Sequence, residues 1–170
     1  HHRAAQAIKS GPGDFPLGVT ISTTEIQGIG EGHQAKAFEA ALYGPWLDVA
    51  AAADFTGVQT YTRMFIGPQG LMPYPDGTRL TDMGYEYRPE ALEATIRMIA
   101  KRTGKPIIVT EHGIATENDA QRIAFIDAAL AGVKRCLADG IDVRGYIHWS
   151  LLDNFEWLYG YSMKFGLVAV

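Results

Sequence analysis

Apolar positions along the chain alternate between short strand-like runs and stripes at helical spacing. His1 to Lys9 has helical composition and meets Ser10-Gly11-Pro12-Gly13, a breaker cluster that ends it. Pro16 to Ser22 reads as a first strand, the Gly-rich stretch to Gly32 as a loop, and the alanine-rich segment from about His33 to Ala53 as a helix. Asp54 to Thr62 predicts a second strand, followed by a long loop containing Gly and Pro that reaches about Tyr87. Loops of that length are usually functional. Pro89 suits a first helical position, and Leu92, Ile96 and Ile99 mark an apolar stripe before Gly104. The apolar run Ile107–Glu111 predicts a third strand. Asn118 and Gln121 resemble a capping pair, and Ile123, Ile126, Leu130, Val133 and Leu137 are read as the buried stripe of the helix that follows, up to Gly140. Val143 to Ser150 predicts the fourth strand.

Strands that alternate with helix-length crossovers imply right-handed parallel units with all strand C-terminal ends on one side. Four such units could form an open doubly wound sheet, but no Gly-x-Gly-x-x-Gly follows the first strand. The expected fold is therefore α/β, part of a (β/α)8 barrel. A complete barrel needs eight strands and about 250 residues. Residues 1–170 are accordingly expected to form one half barrel, beginning inside a helix and stopping at Val170 before a closing helix. Half a barrel has two unpaired sheet edges and an uncovered inner face, a strong tendency to associate unless another segment completes it.

The chain is 47% hydrophobic and 20% charged, which suits a globular domain with a core. Its net charge of -4, without long single-sign runs, gives no footprint for nucleic acid or an anionic membrane, so a small neutral partner is expected. The single cysteine, Cys136, cannot form an internal disulfide, and no stretch approaches the roughly 20 apolar residues that span a bilayer. A cytoplasmic location is the expectation.

Chemistry concentrates at two places. Glu111 ends an apolar run and is followed by His112-Gly113, which fits a strand delivering a carboxylate to the C-terminal rim of a barrel. His148-Trp149-Ser150-Leu151-Leu152-Asp153-Asn154-Phe155-Glu156-Trp157 then supplies flat aromatic faces and acceptors. Aromatic rings cover the apolar face of a pyranose while carboxylates accept bonds from its hydroxyls, so Trp149, Glu156 and Trp157 suit a sugar. Each has a plainer reading: Glu111 as a rim carboxylate bonded to backbone, the tryptophans as core, Glu156 as an ion-pair partner. Asp153 and Asn154 are read as loop-shaping residues. His112 and His148 stand without ligand-spaced partners, and strand alternation puts His148 on the face opposite Trp149. Cys136 is expected to be a buried inert thiol, His33 to lie at a solvated helix start, and Arg122 and Trp46 to be structural.

At these residues the chain resembles glycoside hydrolase family one, the beta-glucosidase family, along the part of its barrel from the fifth strand to the eighth. The strongest element is Gly145-Tyr146-Ile147-His148-Trp149-Ser150-Leu151-Leu152-Asp153-Asn154-Phe155-Glu156-Trp157, continuing through Gly160-Tyr161-Ser162 to Phe165-Gly166-Leu167. The family's Thr-Glu-Asn-Gly motif aligns with Thr110-Glu111-His112-Gly113, so the resemblance makes Glu111 the catalytic nucleophile, with His112 in place of asparagine. Its Asn-Tyr-Tyr strand end aligns with Gln59-Thr60-Tyr61, which makes Tyr61 the residue that bonds and orients the nucleophile; Gln59 and Thr60 are departures. By the same resemblance Trp149 floors the glycone pocket, Glu156 and Trp157 bind sugar hydroxyls, and Phe165 lines the far side. The family's general acid/base sits in an Asn-Glu-Pro motif that does not occur here.

The resemblance thus implies a retaining beta-glycosidase acting on beta-linked glycosides, without cofactor or metal, whose second carboxyl comes from an N-terminal half barrel in cis or trans. Retaining hydrolysis needs two carboxyl groups about 5 to 5.5 Å apart. On these 170 residues alone an inactive chain is expected. The alternatives are transglycosylation on the same scaffold and a non-catalytic half barrel that only binds sugar or assembles with a partner chain.

Overall fold

The computed structural model describes residues 1–168. Ala169 and Val170, where the expected break before a closing helix falls, lie outside the described residues. The elements in chain order are α1 (His2–Lys9), β1 (Gly18–Gly28), α2 (Ala35–Ala51), β2 (Phe55–Gly67), β3 (Gly70–Met72), α3 (Ala91–Thr103), β4 (Ile107–Glu111), α4 (Asp119–Ala138) and β5 (Val143–Tyr146). Strands β1, β2, β4 and β5 pair in parallel and in that order, while β3 folds back antiparallel onto the end of β2. Each parallel strand thus neighbours the next one in sequence. A doubly wound sheet reverses its strand order part-way, whereas a barrel adds strands in one direction. The four units form an arc of barrel, as the strand-helix alternation implies.

Helices α2, α3 and α4 cover one face of the sheet. Val58, Ile107 and Val109 meet Leu47 and Ala50 of α2, Leu92, Ile96 and Ile99 of α3, and Ala129 and Cys136 of α4 in one core. Alternation along β2 and β4 puts every second residue into that core and leaves the intervening ones on the other face. The stripe predicted for α3 is the one observed, and Gly104 ends the helix at φ 62°, a left-handed turn that glycine adopts without steric cost. Glu93 of α3 accepts from Arg97 Nε at 3.0 Å and from Arg135 Nε of α4 at 2.9 Å, which ties the two helices together.

Several boundaries differ from the sequence reading. Strand β1 runs to Gly28, through residues read as loop, because its pairing with β2 resumes after a register shift between Thr23 and Glu25 and carries both strands out together to Gly28 and Ile66. The long loop begins only after β2 ends at Gly67, and β3 lies inside it. The buried stripe of α4 is Arg122, Phe125, Ala129, Gly132, Val133 and Cys136, so of the predicted stripe only Val133 is fully buried, while Ile123 and Leu137 are exposed. The pattern misleads because small residues take the crowded positions: Ala129 lies in the core, and Gly132 packs against Glu93 of α3, where a Cβ would come within 2.9 Å. Trp46, read as structural, is 60% exposed on α2. Asn118 caps α4 by accepting from Gln121 N at 3.2 Å, but the return half of the box runs through Thr116, whose Oγ1 accepts from Asn118 N at 3.1 Å and donates to Gln121 Oε1 at 2.6 Å. The last strand stops at Tyr146, before the aromatic cluster.

Candidate active site

The pairing of β2 with β4 aims the central carboxylate. Val58 pairs with Val109 and the next pair is Gln59 with Glu111, so Thr110 is the extra residue of a β-bulge. Ile107 and Val109 are fully buried toward the helices, and strict alternation would send Glu111 to the same side. The inserted residue turns it to the opposite face instead, beside Gln59 and Tyr61. Thr110 Oγ1 donates to the Val58 carbonyl at 3.3 Å, next to the irregularity.

Both oxygens of Glu111 are held by donors from β2. Tyr61 donates its hydroxyl to Oε2 at 2.7 Å, and Gln59 donates Nε2 to Oε1 at 2.6 Å. Burial, followed by the bond to Glu111 and its charge, pushes the Tyr61 phenol far above its ordinary pKa, so it stays protonated and donates at any physiological pH. Gln59 was missed in the sequence, where it counts only as a departure from asparagine. Its spacing of two from Tyr61 on one strand was the available signal.

The second cluster is locked onto the end of β4. A Cβ on Gly113 would lie 1.9 Å from the Trp149 carbonyl oxygen, so only glycine allows the two loops to approach this closely. Trp149 N donates to the His112 carbonyl at 2.9 Å, and the Trp149–Ser150 peptide is cis. Ser150 N then donates to the Phe165 carbonyl at 3.2 Å, and Leu167 N to the Ser150 carbonyl at 3.0 Å, which brings the 165–167 segment alongside. One cleft of about 220 Å³ results. Tyr61, Glu111, Trp149, Glu156, Trp157 and Phe165 all line it, joined by Met83 and Tyr85 from the long loop. Every expected site residue is therefore in one place. Met83 and Tyr85 lay in a segment whose path the sequence did not reveal.

Glu156 lies inside the cleft, and the remaining polar residues lie outside it. Glu156 has no cationic partner within 4 Å among the described residues, and its Oε1 accepts from Trp157 N at 3.2 Å. Asp153 accepts from Gly166 N at 2.9 Å, which holds its carboxyl below the usual range, and pairs with Lys164 Nζ at 3.2 Å. That is the loop-shaping role expected of it. Arg122 donates to the carbonyls of Thr116, Lys164 and Gly166, a structural role as read from sequence. His112 is 1% exposed, stacks on Phe125 with ring centroids 5.1 Å apart, and shares a 2.9 Å bond with the Tyr146 hydroxyl. Burial lowers its pKa to about 3, so the ring is neutral. His148 also faces away from the cleft, with the Tyr146 hydroxyl 3.5 Å from its Nδ1. Cys136 is buried and burial pushes its thiol pKa up. Among the described residues no group of three or more His, Cys, Asp or Glu could hold a metal ion, and no helix is long and apolar enough to cross a membrane.

The family model for glycosyl hydrolase family 1 matches residues 48–170, more than two thirds of the chain. The chain belongs to this family. It is 38% identical over 138 residues to a beta-galactosidase of Sulfolobus acidocaldarius, an overlap of 72% of this chain and 28% of that protein. It is 34% identical over 148 residues to beta-glucosidase 4 of Oryza sativa, covering 69% of the chain and 31% of the relative. Among solved structures, the apo structure of a beta-glucosidase 1317 superposes with a TM-score of 0.93 at 47% identity, over 100% of this chain and 42% of that one. The hyperthermophilic beta-glucosidase from Pyrococcus furiosus superposes with a TM-score of 0.82 at 30% identity, over 91% and 37%. The chain thus spans less than half the length of each of these four. The partial barrel of this family-1 chain is the corresponding portion of a TIM-barrel fold.

Proposed function

We propose that residues 1–170 form the C-terminal half of a retaining beta-glycosidase that hydrolyses beta-linked glycosides through a glycosyl-enzyme on Glu111. The observation that carries this reading is the single cleft in which Glu111, bonded by Tyr61, faces Trp149, Glu156 and Trp157. A pyranose seated on Trp149, with its hydroxyls bonded to Glu156 and the Trp157 indole N–H, would present its anomeric carbon to Glu111. The carboxylate attacks that carbon, a C–O ester bond forms, and the bond to the leaving oxygen breaks as a second carboxyl protonates it. Water, deprotonated by the same second group, then attacks the anomeric carbon and returns Glu111 as a carboxylate.

Of the two acids in the cleft, Glu156 is assigned to sugar hydroxyls, so the second catalytic carboxyl is supplied from outside these residues by an N-terminal half barrel in cis or trans. A neighbouring cavity of about 340 Å³ shares Tyr61 and Tyr85 with the cleft and is lined by Leu71, Met72, Pro73 and Tyr74. The long loop gives it one apolar wall, facing Ser22, Thr24 and Arg63 of β1 and β2, and that wall suits the leaving group. Release of nitrophenol from an aryl beta-glucoside tests the proposal. The chain joined to a family-1 N-terminal half should release it, the chain alone should not, and Glu111→Gln should abolish release. Activity that survives this substitution would refute the assigned nucleophile.

A further inference from the structure

Gln59 takes the oxygen of Glu111 that Tyr61 leaves free. Its Nε2 lies 2.6 Å from Oε1, while the phenol is 2.7 Å from Oε2, so two neutral donors two residues apart on β2 hold one carboxylate at both ends. The Gln59 backbone is itself fixed, because Thr23 Oγ1 of β1 donates to its carbonyl at 3.1 Å. The bulge at Thr110 makes this possible, since it brings Glu111 directly opposite Gln59 in the register. A carboxylate with one partner can rotate about its last torsion, whereas one with a donor on each oxygen has its plane fixed. Resting on the glycosidase reading, we propose that Gln59 is a positioning residue that sets the plane of the nucleophilic carboxylate and so the line along which its oxygen meets the anomeric carbon. Gln59 does not itself line the cleft and reaches it only through Glu111, so its effect falls on the chemical step and not on substrate capture.

The test uses the barrel completed with a family-1 N-terminal half. Gln59→Ala should lower kcat about 10- to 100-fold, the scale of a misplaced reacting group, while KM stays within about threefold. Gln59→Glu has the same shape but offers an acceptor in place of the donor, so its kcat should fall below that of Gln59→Ala at neutral pH and recover as acid protonates the introduced carboxyl. A purely structural role for Gln59 would not produce that difference in pH profile. A kcat within twofold of the parent for Gln59→Ala, or matching losses for both variants at every pH, overturns the inference alone. An inactive parent barrel overturns the glycosidase reading and the inference with it.

Discussion

Phe165 stands edge-on to Tyr61, with ring centroids 6.0 Å apart and planes at 76°. The phenol that bonds Glu111 is thereby braced by a residue from a segment more than a hundred positions away in sequence, and Phe165 is only 4% exposed. Removing the hydroxyl while keeping the ring separates the two contacts. Tyr61→Phe retains the packing and loses the 2.7 Å bond to Oε2, so it should leave thermal stability within about 1 kcal/mol. Its kcat on an aryl beta-glucoside, measured in the completed barrel, should drop about 100-fold. A variant with undiminished kcat would show that the phenol is a packing group only.

Trp157 offers the opposite separation. It is 87% exposed, so truncation removes little buried surface and Trp157→Ala should change stability by no more than about 0.5 kcal/mol. If its indole meets sugar, affinity suffers instead. Titration with a gluconolactam or another neutral glucose mimic, followed by calorimetry in the completed barrel, should give a dissociation constant about 10-fold weaker for the variant. An unchanged constant would assign Trp157 to the surface, with no part in the cleft.

The unit order of the fold was readable because the apolar run of β4 and the α3 stripe of Leu92, Ile96 and Ile99 carry their period openly. The six residues that the sequence offers for a sugar site, Tyr61, Glu111, Trp149, Glu156, Trp157 and Phe165, all line the cleft. The face on which Glu111 lies was another matter. A bulge has no period of its own, and plain alternation would have buried the carboxylate beside Val109. Gln59 escaped notice because a motif read by identity records a departure but not what the longer side chain can reach. Met83 and Tyr85 escaped because loop paths depend on tertiary contacts, here the β2–β3 turn and the Arg63–Glu86 pair, that local sequence does not encode. The α4 stripe failed for a packing reason: where helices crowd, Ala and Gly go inside and larger residues are left facing out.

Arg122 links the start of α4 to the strap that carries Phe165. Its guanidinium is 7% exposed and donates to the Thr116 carbonyl at 2.6 Å, the Gly166 carbonyl at 3.1 Å and the Lys164 carbonyl at 3.2 Å. Arg122→Ala takes this donor from the Thr116 and Gly166 carbonyls, while the Lys164 carbonyl keeps its bond from Thr116 N at 3.0 Å, and should destabilise the fold by about 3 kcal/mol in urea unfolding. Lysine is a poor substitute, because one ammonium on a flexible stem cannot reproduce the planar fork. Arg122→Lys should therefore recover less than half of the lost stability. A full recovery would mean that charge, and not the fork, holds the strap.

His112 gives the fold a pH dependence whose sign follows from its burial. Burial, with His148 adding a smaller effect, lowers its pKa to about 3 from an ordinary value near 6.5. Between those two values the unfolded chain binds a proton that the folded chain does not, so stability is complete above about pH 6.5 and is lost as pH falls toward 3. The loss contributed by this one group approaches about 1.4 kcal/mol per pH unit inside that window. His148, also lowered chiefly by burial, acts in the same direction. Replacing the imidazole with the asparagine found at this point of the family motif removes the His112 share. Urea unfolding at pH 6.5, 5.5 and 4.5 should show that stability falls less steeply for His112→Asn than for the parent, by about 1 kcal/mol per pH unit. The comparison is of slopes, because loss of the Phe125 stack and the Tyr146 bond shifts the variant's absolute stability at every pH. Parallel slopes would mean that the buried ring takes up its proton without unfolding.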